Sequence, residues 1–348
     1  MKPRRISAGL SGLTVVPADQ NTPNARVEAL AADHLGAAVA IVSPFGMVSS
    51  AAGDADPDGR VMTPGTPIRI ASHTKSFTAA AILRLWETGR FDLDAPIGAL
   101  IPAAQIDMFR AGGYDPNAIT VRPMLLHSSG PADHAKTVSY QAAVFADPGR
   151  IWTRADQLAV LREATEPTGL PGARFHFSDT GYAILGGIVE RQTGLPLGQA
   201  VRDLLRLDET AMRWKGELPA DGAARAHPWI GETNTFAIHG SIDAHGGGGI
   251  VARVEATARA YAALIGGSVF DDPQTLEVML AAPDHPEGSP YRMEFHADHL
   301  DGVAAYRHAG FWGIEALALP KQRLVIVATV LNHSLRELVD RLALDWIQ

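Results

Sequence analysis

The chain has 348 residues, 46 % hydrophobic and 20 % charged, which is globular composition and enough for about two domains with buried cores. Its 34 glycines and 23 prolines stay well below the share that marks low-complexity chains, so disorder is excluded as the main state. With a net charge of −8 and no basic run beyond Lys2-Pro3-Arg4-Arg5, no nucleic-acid partner is expected, and the absence of cysteine removes disulfides, thiolate nucleophiles and Cys-based zinc sites.

At the N-terminus the basic residues are followed by a mildly apolar stretch, Ile6 to Val16, and then by Val16-Pro17-Ala18, a small-residue cleavage pattern. Two glycines, two serines and a threonine dilute that stretch, so residues 1–24 read as an extension with a weak leader at most. A cytoplasmic location is slightly favoured over a periplasmic or secreted one. No apolar run approaches the ~20 residues of a spanning helix, so no integral membrane segment is expected.

Ala25 to Leu35 has apolar residues at helical spacing, Ala37 to Val42 reads as a strand, and Pro44-Phe45-Gly46 turns it toward a second strand. Pro67 to Ala71 is a short alternating strand. Ser72 to Thr88 then carries Phe77, Ala80, Ile82, Leu83, Leu85 and Trp86 at helical spacing before Gly89 closes it. From 91 to 238 strand signals are sparse. Helical windows (Ala155 to Ala164, Thr180 to Gln192, Leu197 to Leu205) alternate there with Pro/Gly breaks. After Gly246 to Gly249 come a helix, Val254 to Ile265, and two β-rich runs, Phe311 to Leu319 and Arg323 to Leu331, with a hairpin signal between them; segments 229–245 and 284–301 read as loops. Ser334 with Glu337 has the capping-box spacing of a last helix. The expected fold is α+β. One antiparallel sheet is built from both termini (25–90 and 239–348) and flanked by helices, and 91–238 forms an inserted, mainly helical domain. A cleft between the two is the default place for a site.

No G-x-S-x-G elbow, no G-x-x-x-x-G-K-[ST] loop and no H-E-x-x-H helix is present. A G-x-G-x-x-A match at Gly247, Gly249 and Ala252 lacks a preceding strand, so no dinucleotide cofactor is expected, and no other cofactor is. Ser72-His73-Thr74-Lys75 fits S-x-x-K, in which a helix puts hydroxyl and amine on one face, so that the amine can take the hydroxyl proton. Ser72 also opens a helix directly after a strand, where free N–H groups and the helix dipole favour negative charge on a developing oxyanion. The structural alternative is a helix-capping serine beside a solvated lysine.

Ile70-Ala-Ser-His-Thr-Lys-Ser-Phe-Thr-Ala79, Leu125-Leu-His-Ser-Ser-Gly130, Phe175 to Gly186, Gly246 to Val251 and His308-Ala-Gly-Phe-Trp-Gly313 follow one another in the order and rough spacing of the penicillin-recognising serine hydrolases. From about residue 25 to 333 the chain resembles the class C β-lactamase-like group of β-lactamases, D-alanyl-D-alanine carboxypeptidases, D-amino-acid peptidases and β-lactamase-fold esterases and acyltransferases. The resemblance implies a β-lactamase/transpeptidase-like fold, Ser72 as acylated nucleophile and Lys75 as its proton acceptor. It also implies that His308 and Gly310 border the substrate, and that the N–H groups of Ser72 and Phe311 form the oxyanion hole.

Where that family carries Tyr-x-Asn, this chain has Phe177-Ser178-Asp179. Phe177 transfers no proton, a loss that weighs most on poor leaving groups such as amides and least on aryl esters. Asp179 either ion-pairs with Lys75 and weakens it as a base or takes the base role itself; both stay open. Tyr182 reads as a packing residue, His127 and Asp133-His134 as structural, and His176 as a less favoured relay candidate. Thirteen histidines, densest at Glu294 and His296 to His299, invite a metal, but an exposed His-rich loop is the commoner meaning, and no metal is expected. The leading expectation is a serine esterase or acyltransferase on a small acyl substrate. β-Lactamase or D-amino-acid peptidase activity is the alternative, and a weakly catalytic ligand-binding protein is the rival from another class. Oligomeric state is not legible.

Overall fold

The computed structural model describes residues 21–32, 35–163, 168–207, 212–214, 225–285, 288–335, 337 and 339. Its strands are β1 (Ala37–Ser43), β2 (Gly46–Ala52), β3 (Ile68–Arg69), β4 (Met212–Trp214), β5 (Trp229–Ile230), β6 (Thr233–Asn234), β7 (Ile250–Ala252), β8 (His296–Leu300), β9 (Val303–Gly310), β10 (Ile314–Leu319) and β11 (Leu324–Val330). Its helices are α1 (Asn21–Ala32), α2 (His73–Glu87), α3 (Ala103–Ala111), α4 (Val121–Leu125), α5 (Val138–Ala146), α6 (Arg154–Leu158), α7 (Val160–Glu163), α8 (Asp179–Thr193), α9 (Leu197–Leu205), α10 (Val254–Ile265) and α11 (Pro273–Leu280). None of the described helices is long and apolar enough to cross a membrane.

The main sheet is antiparallel in the order β2-β1-β11-β10-β9-β8, so the N-terminal hairpin pairs with the C-terminal meander through β1 and β11. Alternation along those two strands explains their near-continuous apolar sequence, because both faces are covered. Ala38, Ala40, Val325 and Val327 face the main core with α10, whereas Ala37, Val39, Ile41, Ile326 and Ala328 face Val27 of α1. On the main-core side, α2 packs against α8 and α9.

The elements with strong periodicity lie where the sequence puts them, α9 and α10 to the residue. Two readings are corrected. The run from Phe311 is not strand throughout, because Phe311 to Gly313 is a turn and β10 starts at Ile314. The segments expected as loops, 229–245 and 284–301, are not loop throughout: the first carries the short pair β5 and β6, and the second contributes β8, with β9 following it; the polar or small residues there, such as His296-Ala-Asp-His299, show no clear alternation. Most of the helix expected from Ser334 lies outside the described residues, as do residues 1–20.

The chain at 245–246 lies directly on the α8 backbone. Gly246 sits at φ 124, and a Cβ there would stand 2.3 Å from the Tyr182 carbonyl oxygen; on the facing helix, a Cβ at Gly186 would stand 2.1 Å from the His245 carbonyl oxygen. Gly186→Ala should therefore force these backbones apart and lower the denaturation midpoint by an amount equivalent to about 1–3 kcal/mol. A midpoint equal to the parent's would show that the contact yields freely.

Candidate active site

α2 is entered from β3 through Ala71, a buried residue held at φ 49, where L residues are strained. This sharp entry puts Ser72 at the N-cap, where the first-turn N–H groups have no partner inside the helix. The serine caps nothing with its side chain. Its Oγ instead accepts a hydrogen bond from Lys75 Nζ at 3.0 Å, one helical turn on.

Lys75 is fully buried, and its three donors meet three acceptors: Ser72 Oγ, the Gly247 carbonyl oxygen at 2.5 Å and Asp179 Oδ1 at 2.5 Å. Burial pushes the Asp179 carboxyl up, but the Lys75 charge and its hydrogen bond outweigh this and hold it below the usual carboxylate range. Of the two roles left open for Asp179, the ion pair with Lys75 is the one observed. The Phe177 ring centroid lies 5.1 Å from the same Nζ and 5.6 Å from Lys136 Nζ.

Ser72, Phe177, Asp179, Gly247, His308 and Phe311 line one cleft of about 890 Å³. Gly310 draws the end of β9 against the start of α2, since a Cβ there would stand 2.8 Å from the Ile70 carbonyl oxygen. The His308 ring hydrogen-bonds the Ser72 backbone and packs edge-on to His73 at 5.0 Å. Burial lowers the His308 pKa despite the nearby Glu294, which keeps the ring neutral near pH 7.

Behind Phe177 lies a buried cluster to which the sequence assigns no active-site role. The His127 ring lies against Phe177 with centroids 4.3 Å apart, its Nδ1 accepts the Ser178 N–H at 3.1 Å, and its Nε2 lies 2.6 Å from Glu294 Oε1. Glu294 also accepts from the Tyr291 hydroxyl at 3.0 Å and has its Oε2 3.8 Å from His308 Nε2. It is 0 % exposed, and its backbone is held at φ 67, where L residues are strained, so the carboxylate is turned into the interior. The sequence marks Glu294 only as a neighbour of the His296 to His299 cluster; its place behind Phe177 is signalled by no more than a carboxylate between the apolar Met293 and Phe295.

Asp133 and His134 adjoin the site instead of standing apart from it. Asp133 Oδ1 accepts the N–H groups of Asp179 at 3.1 Å and Ala135 at 3.2 Å. His134 lines the cleft with Nδ1 2.9 Å from Thr180 Oγ1, and burial pushes its pKa down to about 4. Tyr182 is a packing residue whose hydroxyl donates to the Leu125 carbonyl at 3.0 Å. His176 is outside the cleft lining, and its backbone N–H donates to the His127 carbonyl.

Burial, with the adjacent Asp179 carboxylate, pushes the Asp133 pKa up to about 6. The folded chain thus keeps a proton that an unfolded aspartate releases near pH 4, so stability is lost as pH rises between those values. Asp133→Asn should remove that loss. Its urea midpoint should gain on the parent's as pH rises from about 4.5 to about 6.5, and a pH-independent difference would contradict the assignment.

A family model described as Beta-lactamase matches residues 24–344. Among curated proteins the chain is similar to Esterase EstB of Burkholderia gladioli, 33 % identical over 210 residues, which is 58 % of this chain and 52 % of that protein. The alignment therefore spans about half the length of that relative. Among solved structures, a D-stereospecific amidohydrolase from Streptomyces sp. has a TM-score of 0.76 at 24 % identity over 91 % of this chain and 95 % of the other. EstCE1, titled a hydrolase with promiscuous acyltransferase activity, has a TM-score of 0.70 at 18 % identity over 91 % and 94 %. These two share the fold, and the family match runs across nearly the whole sequence: the chain belongs to the beta-lactamase family and has that fold.

Proposed function

We propose that the protein is an esterase that cleaves carboxylic esters through an acyl-Ser72 intermediate. The observation that carries this reading is the Ser72 Oγ to Lys75 Nζ contact of 3.0 Å in a cleft where a phenyl ring occupies the position of the family's phenol. Ser72 Oγ attacks the ester carbonyl carbon while its proton passes to Lys75, which hands one of its own to Asp179 at 2.5 Å. The N–H groups of Ser72 and Phe311, both on the cleft wall, receive the oxyanion. Collapse of the tetrahedral intermediate expels the alcohol oxygen as an anion, and the proton on Asp179 is released to solvent; water then attacks the acyl carbonyl, its proton passes along the same route, and one returns to Ser72 Oγ as the acid departs.

The leaving group decides the substrate class. An aryl or activated alkoxide departs as an anion, whereas an amine must be protonated as it leaves, and Phe177 offers no proton for that. The similarity to Esterase EstB supports esters. Peptide or D-amino-acid amide cleavage is the second reading. In its favour, β8 pairs with β9 only as far as Arg307, so that among the described residues the cleft end of β9 has no strand neighbour on that side. A ligand-binding role without turnover is disfavoured, because such a cleft gains nothing from a buried lysine on a serine hydroxyl.

Brief exposure to p-nitrophenyl acetate should give an acetyl adduct on the parent by intact-mass measurement, and none on Ser72→Ala. Release of p-nitrophenolate by the variant should fall by about 10³-fold or more. An unchanged rate in the variant rejects the mechanism. Phe177→Tyr restores a phenol beside Lys75, and should raise hydrolysis of a p-nitroanilide relative to the matching p-nitrophenyl ester by about tenfold or more. If that ratio does not move, the absent hydroxyl is not what selects esters.

A further inference from the structure

Away from the polar groups at Lys75, one side of the cleft is apolar. Val144 of α5, Ile238 and Trp312 form a small buried cluster with Ala71, the residue before Ser72, apart from the two larger cores. All four also line the cleft, as does Ile242, which packs on them. The cluster is thus both a packing unit and a wall of the cavity. The apolar surface continues to the mouth, where Phe145 and Phe311 line the cleft while 54 % and 44 % exposed. α5, which supplies Val144 and Phe145, carries no charged residue from Val138 to Ala146.

A phenylalanine 54 % exposed on an uncharged helix gains little from the fold itself, and Phe145 borders a cavity large enough to bury a drug-sized ligand. An acetyl group on Ser72 would leave nearly all of that wall wetted. We propose that this wall is the acyl pocket of the enzyme, and that its substrates are esters of apolar acids with chains of about six to ten carbons. This rests on the acyl-Ser72 reading above. The acyl group is assigned to the wall because it stays bonded to Ser72 Oγ through the second half of the reaction, and the wall begins at Ala71. Each methylene that moves from water onto the wall should raise kcat/KM by up to about fourfold.

The test is a series of p-nitrophenyl esters from acetate to decanoate, kept below their aggregation concentrations, with the leaving group constant. The expected result is a rise in kcat/KM of about 100-fold or more from acetate to octanoate. Phe145→Ser, a change at an exposed position, should cut the octanoate value by about tenfold, the loss shrinking as the chain shortens. A flat or falling series on an enzyme whose Ser72 is acylated by acetate overturns this inference and leaves the esterase reading standing. So does a dependence on chain length found only when the chain is placed in the alcohol. Failure of every ester to acylate Ser72 overturns both.

Discussion

A buried ammonium organises this molecule. Lys75 has no exposed side-chain surface, and a charge taken out of water is tolerated only where it is paired and its donors are all met. The three acceptors come from three places: Ser72 on the same helix, Asp179 at the start of α8 and the Gly247 carbonyl in the glycine run. Meeting them fixes α2 against α8 and fixes the 246–249 segment against both. The bare backbones at Gly186 and Gly246 let those pieces approach closely enough. Displacing any of them would leave Lys75 short of an acceptor in the interior, which ties the fold and the site to one constraint.

A second charge sits behind the first. Glu294 is as buried as Lys75, and its neighbours are His127, Tyr291 and His308. Burial alone would push its carboxyl up, yet the His127 ring at 2.6 Å and the Lys75 charge hold it below the ordinary value, so it stays ionised. The left-handed backbone at Glu294 and that at Ala71 are both strained, and they hold the two sides of the site: one turns a carboxylate inward, the other presents Ser72. Strain of this kind persists only where the surrounding packing over-determines it.

The parts legible in the sequence are those written in local pattern. Ser72 and Lys75 are one helical turn apart, and the apolar spacing of α2, α8, α9 and α10 marks those helices directly. β1 and β11 were visible as apolar runs because both of their faces are covered. What escaped has a physical reason in each case. β8 is polar and lies at the sheet edge, where alternation is not enforced. Phe311 belongs to a run whose composition reads as strand, but Gly313 at φ 82 turns the chain there. His127, Asp133 and Glu294 reach the site through contacts of long sequence separation, and nothing within a ten-residue window distinguishes them from ordinary buried polar residues.

Phe177 and Asp179 make one physical unit. A carboxylate at 179 gives Lys75 an ion-pair partner at 2.5 Å. A tyrosine at 177 would add a hydroxyl that needs its own partners, whereas a phenyl ring needs none. The ring turns its face toward Lys75 and Lys136 and lies against His127, complementing the cations without competing for their donors. In the proposed mechanism this changes where the serine's proton goes. It is stored on a carboxylate at the base of the cleft, not relayed through a phenol to the departing group. With no hydroxyl at 177 to carry that proton onward, the proposed mechanism suits substrates whose leaving group departs as an anion.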